Sequence, residues 1–577
     1  MRIERLTTDI LILGSGGAGL FAALHAHAAD PTLAVTIATK GLLGKCGCTR
    51  MVQGGYNVAL HPGDSVERHF MDTVEGGKWL SDQDLAWTLV SRAIERVTEL
   101  ENEIGCFFDR NPDGTLHGKA FAGQTFDRTV HKGDLTGIEI INRLTEQVWA
   151  RPAIRRLEEH RAVALIPSQD GGAVAGALLI DIRTGEFRFV EAGAVLLATG
   201  GGPTMYRYHT PSGDKSMDGL AMALRLGLPL RDMEMVQFHP TGLLAGPDTR
   251  MTGTVLEEGL RGAGGHLLNG AMHRFMADYD PLLERATRDV VSRAMYAEIR
   301  AGRTSPNGGV YLTMSHLGAE NVRRQFKGMV QRCADCGFDL AGGLVEVVPT
   351  AHYFMGGLVC NVDTSTELPG LFVAGEDASG MHGANRLGGN GVANSTVFGG
   401  IAGDTMPTWL AANPGRRRPD ESVLEAEVAR ALAPFSSPPG DLDRLRERLL
   451  DTMWEHVGVI RNKSGLERAL SALDDIESEL LATGVADGSR AFNLTWHDWL
   501  NLRSLVEVSR VIALAARRRE NSRGAHFRED FPDAGDLAAS TFTVARRKDN
   551  RIVLTEEPVR FTIVRPGESL LDRAAAE

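Results

Sequence analysis

The chain has 577 residues, of which 43% are apolar and 24% charged, and a formal net charge of −12. That length exceeds one compact core, and at roughly 100–200 residues per domain three or four domains are expected. The acidic balance argues against a nucleic-acid binder, which should carry a basic face, and no apolar run approaches the ~18–20 residues of a membrane span, so no direct membrane insertion is expected.

The opening "MRIERLTTDI" has no apolar signal core and no twin arginine. Six cysteines in this length do not make a disulfide framework. A reducing, cytoplasmic setting is expected. The 66 glycines cluster, which marks close backbone approach to a ligand or to another segment.

In chain order, residues 9–13 read as a buried strand, followed by the turn "GSGGAG" and an alanine-rich helix, "LFAALHAHAA". "LAVTIAT" is the next strand. In residues 84–104 the positions Val90, Ile94, Val97, Leu100 and Ile104 share one helical face. "AVALI", "GALLID" and "AGAVLLATGG" read as strands between 163 and 200. Residues 240–350 mix strands and helices and read as an insertion, because a strand-and-glycine pattern returns at 370–400. "AANPGRRRP" is a linker, residues 420–520 are helical, and the tail alternates like strands around a Lys-Asp-Asn turn. The fold class is therefore α/β, with a discontinuous Rossmann-like domain. The expected divisions are 1–240 and 351–410 for that domain, 241–350 for an inserted α+β cap, 420–525 for a helical domain, and 526–577 for a short strand-rich C-terminal tail.

Gly14, Ser15, Gly16, Gly17, Ala18 and Gly19 fit G-x-G-x-x-G in the context that gives it meaning, between a strand and a helix. The glycines let backbone approach a pyrophosphate, and the helix start offers free N–H groups. The next strand ends in Thr39 and Lys40 without the acid that usually holds a ribose in NAD sites. Further glycine turns follow strands at Thr199-Gly200 and at 374–376, the last with Glu376. Three such turns fit FAD stretched across the domain better than NAD.

Seven segments carry a family resemblance: "DMEMVQFHPTG" (232–242), "GLRGAGGHLLN" (259–269), "TRDVVSRAMYAEIR" (287–300), "VPTAHYFMGGL" (348–358), "PGLFVAGE" (369–376), "HGANRLGGN" (382–390) and "SRGAHFREDFP" (522–532). With them the chain resembles the flavoprotein subunit of succinate dehydrogenase and fumarate reductase, a family that includes L-aspartate oxidase. The resemblance implies hydride transfer between flavin N5 and a small C4-dicarboxylate. It implies substrate carboxylates held by His239, His352 and Arg386, and Arg288 as the proton-transfer residue. Arginine's planar fork suits a carboxylate. Phe121 and Gln124 in "KAFAGQTF" follow the dehydrogenase and reductase pattern. Cofactor contacts are expected from the first glycine turn, Thr39, Lys40, Cys48, Thr49, Gln53, Gly54, Gly55, Thr199, Gly200, Asp218, Glu376, Asn390, Val392 and Ala393. Residues 390–393 should open a helix whose dipole favours negative charge on the reduced ring.

Several positions depart from the family. Covalent members carry a flavin-bonded histidine where this chain has Cys48, so noncovalent FAD is expected. A space-filling role for Cys48, a thioether link and a redox pair with Cys46 are the three readings of that residue. Glu257 stands where relatives have threonine before Glu258, and would repel a carboxylate unless protonated, turned away or paired with Arg261. Thr136-Gly137-Ile138 lacks the family's histidine. Cys333 and Cys336 form a C-x-x-C without a second pair, so no metal site is expected. Any iron–sulfur cluster must sit on a partner subunit, since no cluster-spaced cysteines occur. Such a partner would hold the protein at the inner face of a membrane. An aspartate-oxidase-like activity, a dehydrogenase for another carboxylate and a pure electron relay are the alternatives.

Overall fold

The structure is a computed structural model that describes residues 3–247 and 249–574. Its centre is a seven-stranded sheet. Ile154–Leu157, Val35–Ala38, Glu4–Leu13 and Glu186–Leu197 lie side by side in parallel. The last strand serves two neighbours on its far edge. Residues 186–191 pair antiparallel with Val174–Asp181, while 195–197 pair parallel with Leu371–Val373. Residues 10–13 form a continuous apolar run because both faces of a parallel sheet are covered, and all four are buried.

This topology brings the three glycine turns together. They follow the C-terminal ends of Glu4–Leu13, Glu186–Leu197 and Leu371–Val373, which are neighbours in the sheet. Ligands of open α/β sheets bind at that edge. Gly14 sits at φ +115°, and a Cβ there would lie 2.0 Å from the Ala198 carbonyl oxygen. The helix Gly17–Ala29 then leaves the turn.

The expected helix face at 84–104 belongs to Gln83–Asn102, which buries Val90, Val97 and Leu100. The helix expected to open at 390 runs over Asn390–Ala412. The strands Val236–Leu243 and Leu344–Phe354 pair antiparallel and continue through Val310–Thr313 to His266–Leu268. Together with the helix Arg288–Arg300 they enclose a separate apolar core around Leu243, Leu260, Phe275, Met295 and Val310.

Four helices, Glu421–Leu432, Leu442–Val457, Lys463–Ala482 and Leu494–Arg518, follow. Leu442, Leu445, Leu449, Met453 and Val457 form one buried stripe at helical spacing. Asp441, Asn462 and Asn493 cap the helices that follow them. The apolar core of this layer is continuous with that of the central sheet. The tail is the hairpin Thr541–Lys548 and Arg551–Pro558. Its two loop residues, Asp549 and Asn550, both have positive φ, as a type I′ turn requires. No helix among the described residues is long and apolar enough to cross a membrane.

Gly19 packs the first helix onto its turn, since a Cβ there would lie 2.1 Å from the Gly14 carbonyl oxygen. Gly19→Ala is expected to destabilise the protein by about 1–3 kcal/mol, the usual range for overpacking. The midpoint of thermal unfolding checks this, and it should fall.

Candidate functional site

A cleft runs across the carboxyl edge of the sheet, lined by residues of all three glycine turns. One end is polar. Lys40 donates to the Asp214 carbonyl (2.6 Å), Asn501 (2.7 Å), Ser216 (3.0 Å) and Asp218 (3.3 Å). Asp218 also accepts from Arg161 at 2.7 Å. Thr39 and Ser15 join hydroxyls at 2.9 Å beside them.

The middle of the cleft is bare backbone. Gly14, Gly16, Gly17, Ala18, Gly47 and Gly200 line it. A Cβ on Gly16 would meet only the Thr49 hydroxyl, at 3.5 Å, so the turn is an open cradle. Gly17 starts the helix, and its N–H donates to the Thr49 hydroxyl at 3.0 Å. The Gly200 N–H donates to Asp377 at 2.9 Å. Glu376 accepts from the Phe354 N–H at 3.0 Å, and burial pushes its carboxyl up to about 7. Gly54, Gly55, Gln53, Cys48 and Val392 also line the cleft, and the Gln53 carbonyl Oε1 is buried without a partner. A long dinucleotide fits this lining, with a polar end, a glycine middle and an apolar far wall.

Three predicted cofactor residues and one predicted substrate residue lie behind the cleft wall. Gly19 acts in packing. Asn390 turns inward to Asn57, His69 and Thr73, and Ala393 is fully buried. Gln124 donates to Asn57 at 3.3 Å and to the Gly388 carbonyl at 3.0 Å.

At the other end the structure gathers His239, His352, Arg288, Arg386, Glu257, Glu258 and Phe121. His239 and His352 come from paired strands, with ring centroids 5.3 Å apart. Burial, and then the neighbouring Arg288, hold both imidazoles well below the usual histidine range, so both are neutral. Arg386 lies over the Tyr353 ring at 4.3 Å. Burial and Arg288 lower its guanidinium to about 10. Its Nε has no partner. Arg288 donates from Nη2 and Nε to Glu258 Oε2, at 2.6 and 3.1 Å. Arg261 donates to the other oxygen at 3.0 Å. Burial pushes the Glu258 carboxyl up, but the two arginines outweigh it and leave it below the ordinary value. Glu257 faces Lys119 at 3.5 Å instead.

The sequence matches the family described as FAD binding domain over residues 9–392, and the one described as fumarate reductase flavoprotein C-term over 446–570. It is 40% identical to a fumarate reductase (CoM/CoB) polypeptide of Methanothermobacter marburgensis, covering 92% of this chain and 96% of that one. It is 41% identical to an uncharacterized FAD-dependent oxidoreductase of Methanocaldococcus jannaschii, over 92% and 94%. The chain belongs to the fumarate reductase/succinate dehydrogenase flavoprotein family. A variant of E. coli quinol fumarate reductase FrdA superposes with a TM-score of 0.93 at 32% identity, covering 98% of this chain and 99% of that one. The fold is thus the flavoprotein fold of that family, and the protein is an FAD-dependent oxidoreductase of the type that acts on carbon–carbon single and double bonds.

Against this family background, two residues of the site have no signal in the sequence. Gln237 accepts from Arg288 Nη1 at 3.0 Å and donates to the Arg386 carbonyl at 2.7 Å, so one amide joins the two arginines. It precedes His239 in "QFHPTG", yet nothing in the spacing distinguishes it from a core amide. Lys215 lines the cleft from the loop before Asp218. That loop lacks a regular pattern to read.

The buried imidazoles make a pH prediction. An unfolded histidine titrates near 6.5, whereas His239 and His352 stay neutral when folded below that value. Their contribution to stability is therefore complete above about pH 6.5 and is lost as the pH falls below it, by at most ~1.4 kcal/mol per pH unit for each histidine. Denaturant unfolding from about pH 5 to 7.5 should show a shallower acid-side loss in His239→Gln/His352→Gln than in wild type.

Proposed function

We propose that the protein reduces the double bond of a fumarate-like dicarboxylate, with FAD held noncovalently. The charge balance at the substrate end supports this most directly. Arg288 and Arg386 line this buried pocket, Arg288 shares the Glu258 carboxylate with Arg261, and among the described residues no carboxylate pairs with Arg386, so the guanidinium charges are incompletely balanced. A dicarboxylate is the small ligand that cancels them, and His239 and His352 add neutral donors beside it. Arg386 offers its unpartnered Nε and lies fixed on Tyr353, ready to orient one carboxylate.

Bound FAD supplies the hydride. The protein's part is to hold the double bond, exclude water and deliver a proton. Arg288 is held by Glu258 on two nitrogens and by Gln237 on the third, which aims its guanidinium into the cleft. Glu258 and Arg261 continue behind it, and Arg261 donates onward to the Glu284 carbonyl at 2.7 Å. Arg274, whose side chain is 37% exposed, binds the Glu284 carboxylate. A proton given up by Arg288 is replaced through the Glu258 carboxylate and the Arg261 guanidinium behind it. An arginine is almost always protonated, so it serves as an acid in the reducing direction better than as a free base in the oxidising one.

The Glu257 carboxylate leans toward Lys119 and leaves the carboxylate pocket free. It is thereby withheld from any substrate amine, and Phe121 fills the position beside Gly54 where an aspartate oxidase needs an acid. Neither feature favours an amino-acid oxidase. Cys48 is half-buried, and its loss of solvation pushes the thiol up to about 12, so it is no nucleophile toward the ring. No histidine lies between Gly41 and Leu60. The proposed electron source is a partner subunit carrying an iron–sulfur cluster. It would place this subunit in the cytoplasm, peripheral to the membrane through its partners.

Anaerobic reoxidation of the reduced flavin by fumarate measures the reaction. Arg288→Gln should slow it by about 10²–10⁴-fold, the range for loss of a positioned acid, and Glu258→Gln should slow it in the same direction while FAD binding is kept. Unchanged reoxidation in Arg288→Gln would overturn the mechanism. Denaturation in acid or guanidinium should release all yellow colour from the polypeptide.

A further inference from the structure

The Lys215 side chain crosses the cleft between two of the segments that line it. Its ammonium donates to the Thr199 carbonyl at 3.1 Å. A Cβ on Gly200 or Gly47 would lie 3.7 or 3.9 Å from it, and its stem packs over Gly202. It thus reaches from the turn after Glu186–Leu197 to the loop that carries Cys48. The Thr199 carbonyl takes one of its three N–H donors. Among the described residues no carboxylate lies within ion-pairing distance of it. Burial opposes its charge, but nearby carboxyl groups, Asp214 and Glu376 among them, help to hold the ammonium above the ordinary lysine value. At neutral pH it is a cation with spare donors, on the wall of the cleft's glycine-lined middle. The mechanism above does not use that charge.

We propose that Lys215 is a cofactor-tuning residue, whose positive charge beside the Cys48 loop raises the reduction potential of the bound flavin and strengthens its binding. Reduction places negative charge on the ring, and a fixed cation in a water-poor cleft favours the reduced form. The loop lacks the covalent histidine, so this charge acts where that link would otherwise act. The inference rests on FAD occupying the cleft, and it holds whether or not the flavin is covalently attached.

The test is the midpoint potential of the purified holoprotein, by equilibrium dye titration, together with the dissociation constant of FAD for the apoprotein. Lys215→Met keeps the length and removes the charge. Its potential should shift to a more negative value and its FAD affinity should fall, while Lys215→Arg should return most of both. An unchanged potential in Lys215→Met with FAD still bound overturns the proposal. If Lys215→Met fails to take up FAD, Lys215→Gln and Lys215→Arg are compared instead, and equal potentials in those two overturn it. Yellow colour that stays with the denatured chain would count against noncovalent attachment alone and leave the Lys215 result readable.

Discussion

The site depends on one buried carboxylate shared by two arginines. Glu258 lies between Arg288 and Arg261 with its carboxylate shielded from bulk water. Such charges are costly to bury, and removing one partner of a pair is costlier still because it leaves the other uncompensated. The arrangement therefore locks the helix Arg288–Arg300 to the segment carrying Glu258. It also fixes the guanidinium that must meet a substrate lying against the sheet. Gln237 extends this constraint to the opposite wall, because its amide reaches both Arg288 and the backbone of Arg386. Polar networks of this kind specify geometry when every member is satisfied.

The site is short of anions. Arg386 has no ion-pair partner among the described residues, Arg288 and Arg261 share one carboxylate, and Lys215 adds a further cation along the cleft. Isolated buried cations would shift or neutralise, and Arg386 shows the strain in its lowered guanidinium pKa. A dianionic substrate and an anionic cofactor relieve it. Binding energy and transition-state positioning thus come from the same groups, since charge that attracts the dicarboxylate also polarises it.

Glu257 shows how a local departure can be harmless. An acid in place of a threonine beside a carboxylate site invites repulsion. Here Lys119, carried on the short strand Gly118–Lys119, draws it aside. Cys46 and Cys48, like Cys333 and Cys336, are free thiols, and burial keeps Cys48 and Cys333 protonated.

Much of the molecule was legible in the chain. The apolar run before Gly14, the alternation of strands with glycine turns, the helical stripe from Leu442 to Val457 and the Asp549-Asn550 turn each follow from local rules of pattern and φ. The residues that face the cleft from motifs, such as His239, His352, Arg288 and Arg386, were legible because their segments resemble those of the family. What pairs with what was not. That Glu258 rather than Glu257 binds Arg288, that Gln237 joins two arginines, that Asn390 turns away from the cleft and that Lys215 enters it are decided by side-chain directions between elements far apart in sequence. Periodicity records which face of a helix or strand is buried. It carries no record of the neighbour on the other side, and only the packing of sheet, cap and helices against one another supplies it.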